Sequence, residues 1–259
     1  MSDSQLDIIF AMPHPDDLEI TCGGTIAKLV KLGHKVGIVH MTNGEPTPRG
    51  TPEVRAAECA AAARVLGVQV VETLPLTNRE LMDGPPARYA VATAFRRYRP
   101  RIVVGMAGRT PAASPDHYQA QLILEAARFY SQLTKWDDRF AGTAPHRVDW
   151  LWYRPVHIAA DVAHWHSTFV VDTSDVHEQK LAAISCYRSQ FDDARLKRLL
   201  HRISAFDATE GGRCGFEYGE LFALPHPTPL VDPVKHFLDL PSPIGPPPAV
   251  AGASGGSVR

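Results

Sequence analysis

The sequence predicts a three-layer α/β fold, Rossmann-like, with a mainly parallel sheet and helices on both faces. Three observations predict it. Short apolar runs alternate with longer segments of helical pattern through the first half of the chain. The runs are apolar at consecutive positions, as strands covered on both faces are. Glycines stand where the helices should stop.

Leu6–Met12 is the first such run. Gly23–Leu32 follows as a helix closed by Gly33, and Lys35–Met41 is the second strand. A Gly/Pro/Thr-rich loop, Thr42–Gly50, leads to Pro52, a residue suited to the first turn of the helix that runs to Leu66 and Gly67. Val68–Val71, a helix near Ala87–Tyr98 and a strand Arg101–Gly105 complete a βαβαβαβ order. In such sheets the site lies beyond the carboxyl ends of the strands, which singles out loops 12–22, 42–51, 72–86 and 106–116. Further on, Tyr118–Ser131 reads as a helix, and Val148–Arg154 and Thr168–Asp172 as strands. Ser174–Ser189 and Asp192–Phe206 read as helices. Residues 1–224 form one expected domain. Nine of the last 35 residues are proline, so 225–259 should be a tail that is partly extended or disordered.

Composition removes several function classes. Of the 259 residues 44% are hydrophobic and 21% charged, with a formal net charge of −1, an ordinary globular balance. There is no long basic run, and Arg96, Arg97, Arg99 and Arg101 read as solvated flanks, so a nucleic-acid partner is not expected. The cysteines Cys22, Cys59, Cys186 and Cys214 form no CxxC pair, which argues against a thiolate zinc site and a disulfide scaffold. No apolar stretch reaches the roughly 20 residues of a membrane-spanning helix, and the first residues lack a leader pattern. A cytoplasmic protein with no membrane partner is the expectation.

The chemistry concentrates at Met12–Glu19, MPHPDDLE, where the first strand ends. Prolines 13 and 15 hold this turn extended. His14 and Asp17 can bind one metal ion if the turn folds back, which leaves Asp16 to face a water on that ion as a base. A catalytic zinc site takes three protein ligands plus an open position. The third should come from another strand-end loop, and His117 in Ser114–His117 lies directly after the fourth strand. Two imidazoles and a carboxylate suit zinc and leave iron(II) or another first-row divalent metal open. Asp16, Asp17 and Asp116 are also good helix caps, the plainer use of such residues.

Other residues carry less. His164 and His166 have no evident third ligand and read as loop-end or interface residues. His40, ending the second strand, reads as a satisfied core or supporting histidine. Arg55 and Glu58, one helical turn apart, suit either a surface ion pair or, for Arg55, contact with a ligand. Cys22-Gly23-Gly24 lacks the GxGxxG spacing of a dinucleotide site. The glycine pair instead suits a helix that approaches the sheet closely.

As a set, HPDD with Gly23-Gly24 downstream, Thr42-Asn43-Gly44-Glu45, Arg55 with Glu58, and Pro115-Asp116-His117 resemble the LmbE/PIG-L family of zinc-dependent N-acetylglucosaminyl deacetylases. The likeness runs over about residues 5–222 and takes in Phe169–Asp172, Lys180, Tyr187–Phe191 and Tyr218-Gly219-Glu220. RGTPEVR, Arg49–Arg55, is similar to the GlcNAc-malate deacetylases of bacillithiol biosynthesis. The resemblance implies hydrolysis of an acetamido group on a small amino-sugar substrate. His14, Asp17 and His117 would hold zinc, Asp16 would be the base, and Arg55 would hold the sugar or its aglycone.

One position departs from the family. Many bacterial members carry a histidine three residues before the third ligand, where it acts on the intermediate; this chain has Ser114. Asp116, which would orient that histidine, loses its usual partner. His226 in the tail is then a candidate acid for its own subunit or for a neighbour in a homo-oligomer. The rival readings are a phosphatase-like metal hydrolase using the Asp pair, and a catalytically weakened sugar-binding homologue.

Overall fold

A computed structural model describes residues 5–156 and 167–240. Its sheet has seven strands: β1 Ile8–Met12, β2 Val36–Thr42, β3 Val70–Leu76, β4 Ile102–Ala107, β5 Trp150–Pro155, β6 Ser167–Asp172 and β7 Gly219–Leu224. The spatial order is β3-β2-β1-β4-β5-β7-β6. The first five strands are mutually parallel, and β7 runs antiparallel between β5 and β6. The expected three-layer α/β fold with a mainly parallel sheet is therefore present. His164 and His166 lie outside the described residues.

Side-chain alternation along β1 explains the layers. Ile8, Phe10 and Met12 enter one core with Leu18, Ile26, Cys59, Leu66 and Tyr187, from α1 (Asp17–Lys31), α2 (Pro52–Leu66) and the turn after α5 (His177–Ile184). Ile9 and Ala11 enter the other with Val91, Phe95 and Leu124, from α3 (Pro85–Tyr98) and α4 (Pro115–Tyr130). Helix α6 (Asp193–Gly212) packs Leu196, Leu199 and Ile203 on Ile184. No helix among the described residues is long and apolar enough to cross a membrane.

Several boundaries move, each for a non-local reason. The first helix starts at Asp17, six residues before the expected Gly23, and breaks at Cys22, whose φ of −141° is not helical. The break is held from outside. Arg154 Nε donates to Thr21 O at 2.5 Å, while Glu220 accepts from Gly24 N at 3.0 Å and Thr25 N at 2.8 Å. A Cβ on Gly24 would lie 2.9 Å from Thr173, so glycine there permits this close approach. The expected helix Ser174–Ser189 is a short 3-10 turn, Ser174–Val176, followed by α5 and a run of tight turns. Tyr187 and Ser189 are drawn inward there by Glu19 and Glu58. The first part of the expected tail includes a short helix, α7 (Pro233–Leu238).

Arg96, expected to be solvated, is 2% exposed. It donates to the carbonyls of Ser131 and Thr143 and lies 3.5 Å from the Phe140 ring centroid. Its neighbours Arg97 and Arg101 pair with Glu72 and Asp149. Only Arg96 turns inward; Arg97 and Arg101 lie at the surface as expected.

Behind α1 sits a buried charge cluster. Lys180 Nζ lies 2.7 Å from both Asp207 Oδ2 and Glu220 Oε1, and none of the three side chains is exposed. Lys180→Met keeps the volume and leaves two buried carboxylates short of their cation. The expected loss is about 3–5 kcal/mol of unfolding free energy, read from denaturant midpoints. An unchanged midpoint would show that another group takes over the pairing.

Candidate metal centre

Strand β1 lies between β2 and β4, so the chain leaves it in opposite directions and a crevice opens at the carboxyl ends of β1 and β4. The turn after β1 carries His14, Asp16 and Asp17. The loop after β4 leads through Ser114 into α4, whose first turn holds Asp116 and His117. Adjacent parallel strands thus deliver both sequence motifs to one place.

The side chains meet there. His14 Nδ1 lies 3.1 Å from Asp17 Oδ2, and His117 Nε2 lies 3.3 Å from Asp17 Oδ1. One ligand atom from each of the three lies within 4.8 Å of the others, the arrangement a single metal ion needs. A second fit comes from the charges. Burial works against the His14 imidazolium, yet hydrogen bonds to Asp116 and Asp17 outweigh it and push its pKa up to about 10. Burial likewise opposes the Asp17 carboxylate, but the two imidazoles hold it far below the usual range. The pocket is built to retain positive charge, and its donor set is that of a first-row divalent ion.

Asp16 occupies a strained position. As the N-terminal cap of α1 it has φ 93°, a left-handed conformation uncommon outside glycine. Burial and the neighbouring Asp17 raise its pKa to about 7 against the opposing pull of Arg55 and His14. Arg55 is 3% exposed. Its Nη2 donates to Pro15 O at 3.0 Å, and its Nη1 lies 3.6 Å from Asp16 Oδ2. It makes no ion pair with Glu58, which instead accepts from Ser189 N and Oγ. Beneath the site, Tyr187 donates to Glu19 at 2.9 Å, a tie that sequence pattern did not signal.

The remaining candidates divide. Ser114 Oγ accepts from Asp116 N at 3.3 Å and so caps α4. Asp116 is 2% exposed, and its Oδ2 accepts from His14 Nε2 at 3.1 Å and Arg79 N at 2.8 Å. In place of the absent histidine it is held by His14 and Arg79. His40 is fully buried with its Nε2 3.2 Å from Cys59 Sγ, and burial lowers its pKa to about 4. His226 is not brought to the cluster: it packs on Trp150, at the start of β5 and hence at the opposite edge of the sheet.

Residues 9–127 match the family model described as PIG-L, GlcNAc-PI de-N-acetylase. The diacetylchitobiose deacetylase of Thermococcus kodakarensis is 31% identical over 191 residues, 70% of this chain and 68% of that protein. The chain belongs to the PIG-L family. A second relative, the 1D-myo-inositol 2-acetamido-2-deoxy-alpha-D-glucopyranoside deacetylase of a Mycobacterium species (strain KMS), is 27% identical to this PIG-L protein, covering 75% of this chain and 77% of that one. The crystal structure of a conserved protein from Thermus thermophilus superposes with a TM-score of 0.76 at 34% identity, over 88% of this chain and 98% of the other.

Gly44 tests how tightly this PIG-L site is packed. Its φ is 74°, and a Cβ there would lie 2.7 Å from Arg55 Nη2. Gly44→Ala is expected to cost about 1–3 kcal/mol in chemical unfolding, the range for a non-glycine residue in this conformation. Gly44→Asn relieves the backbone strain but not the collision, and should be equally damaging. Recovery of wild-type stability with Asn would mean that only the backbone matters.

Proposed function

We propose that this protein is a zinc-dependent N-deacetylase that releases acetate and a free amine from a GlcNAc-containing small molecule. The carrying observation is the meeting of His14, Asp17 and His117 in one cluster, with the Asp16 carboxylate beside it. When bound, a divalent ion here acidifies water and polarises an amide carbonyl. The chain's own part is to hold that ion with two imidazoles and one carboxylate, and to move a proton at Asp16. Family membership supports the reaction type, and the two named relatives support an amino-sugar substrate. The described residues contain one group of three metal-ligating side chains, which favours a single ion over the pair a phosphatase-like site would want.

Arg55 fits a role through Asp16 better than direct contact with the sugar. Its guanidinium is buried beneath Gly44 and Pro15 and approaches the Asp16 carboxylate. It holds that carboxylate in place and favours its charged form.

The deciding experiment is acetate release from GlcNAc, chitobiose, GlcNAc-inositol and GlcNAc-malate by the zinc-loaded protein. His14→Ala, Asp17→Ala and His117→Ala should each lose zinc by elemental analysis. Asp16→Asn should keep zinc and lose turnover, because Asn tolerates the left-handed backbone and only the proton acceptor is removed. Full zinc occupancy in the His117 variant would remove that residue from the site. No acetate from any of the four substrates, with zinc bound, would favour the sugar-binding homologue.

Ser114 offers a separate test. A departing amine needs a proton, and a histidine titrating near neutrality is well suited to supply it. Three of the described histidines outside the cluster are engaged elsewhere: His40 with Cys59, His177 with Ser204 and His226 with Trp150. Asp116 Oδ2 is taken, but its second oxygen faces no hydrogen bond to another side chain among those described. Ser114→His should therefore raise kcat, by up to the roughly 10²–10⁴-fold of general acid–base catalysis. It should also cost about 1 kcal/mol of stability from the lost cap. A kcat that stays level or falls would leave Asp16 as the sole proton carrier.

A further inference from the structure

We infer that Asp116 is a positioning residue for the metal: its carboxylate fixes the tautomer and ring orientation of His14, so that His14 binds the ion through Nδ1. The inference rests on the proposed metal reading of His14, Asp17 and His117. The geometry has three parts. The Nε2 edge of His14 donates to Asp116 Oδ2 at 3.1 Å, while the Nδ1 edge faces Asp17 at 3.1 Å, toward the cluster. A ring whose Nε2 carries the proton has its lone pair on Nδ1. Asp116 is itself immobilised. It is 2% exposed, its N–H bonds to the Ser114 cap, and its Oδ2 also accepts from Arg79 N at 2.8 Å. A ring held this way has one productive orientation.

A carboxylate behind a ligating histidine makes the ring a better donor and removes the entropy of orienting it, which raises metal affinity. In this chain the arrangement also gives Asp116 a task that does not depend on a histidine at position 114. The Arg79 contact adds a link, since it joins the loop after β3 to the ring that holds the ion.

The test is an equilibrium zinc titration against a competing chelator, using the full chain. Asp116→Asn keeps an acceptor for Arg79 N, so the loop tie survives, but it lowers the charge facing His14. Zinc binding should weaken toward 10-fold in Asp116→Asn and toward 100-fold in Asp116→Ala. Nitrogen-15 spectra of the zinc-loaded wild type should show His14 protonated at Nε2 and metallated at Nδ1. That Nε2 proton should exchange with water faster in both variants, a signature a merely structural role would not move. Asp116→Asn binding zinc as tightly as wild type, or His14 metallated at Nε2, would overturn the inference while leaving the metal reading intact. A wild-type protein that binds no zinc would sink both.

Discussion

Parallel pairing of β1 with β4 is the constraint on which the site depends. Ile8 pairs with Ile102 and Ala11 with Gly105, so the two strands end at the same edge with no other strand between them. Residues 102 positions apart in the chain, His14 and Asp116, are thereby brought to hydrogen-bond distance. Right-handed crossovers put α1 and α2 on one face and α3 and α4 on the other, which leaves the crevice open above. Slipping β4 against β1 by one residue would exchange the two faces of its side chains and carry α4 away from the HPDD turn.

A second constraint lies behind the first helix. The turn that carries Asp16 and Asp17 continues into only five helical residues before the break at Cys22. Such a short segment has little stability of its own. Arg154 and Glu220 take the backbone groups that the break frees, and both are anchored in turn: Arg154 by Glu210 and the Leu221 carbonyl, Glu220 by Lys180. Thr21 Oγ then donates to Asp17 O at 2.6 Å within the short segment. The buried ions are therefore paired and hydrogen-bonded, the condition under which burial of charge is tolerated. Their position links the far end of the sheet, β5 and β7, to the first helical turn beside His14 and Asp17.

How much of this was legible follows from what is local. The succession of strands and helices in the first half and the motifs HPDD and PDH were readable because each is set by a few consecutive residues, and the loops at the carboxyl edge followed from that succession. The start of α1 was not, since the helix is interrupted at Cys22 and only Arg154 and Glu220, more than 130 residues away, sustain that break. Arg55 with Glu58 has the spacing of a surface ion pair, but both side chains turn inward to Pro15 and Ser189, partners that spacing does not reveal. Lys180, Tyr187 and Glu220 carried the family likeness without a role. In the fold they are bracing: Lys180 and Glu220 in the buried cluster, Tyr187 under Glu19.

Proton handling is the remaining step, and it turns on what surrounds Asp16. Two opposing influences meet at this carboxyl. Burial and the adjacent Asp17 favour its neutral form, while Arg55 and His14 favour its charged form, and the result is a pKa of about 7. In the proposed reaction a carboxyl balanced between these influences would take a proton from water and return it. An ordinary surface aspartate, ionised far below neutrality, would be a weak acceptor and would hold too little proton to return. With Ser114 committed to capping α4 and Asp116 engaged by His14, the proposed reaction would draw on Asp16 for its proton transfers. The left-handed backbone at Asp16 and the buried Arg55 beside it are the structural cost of keeping one carboxylate in that state.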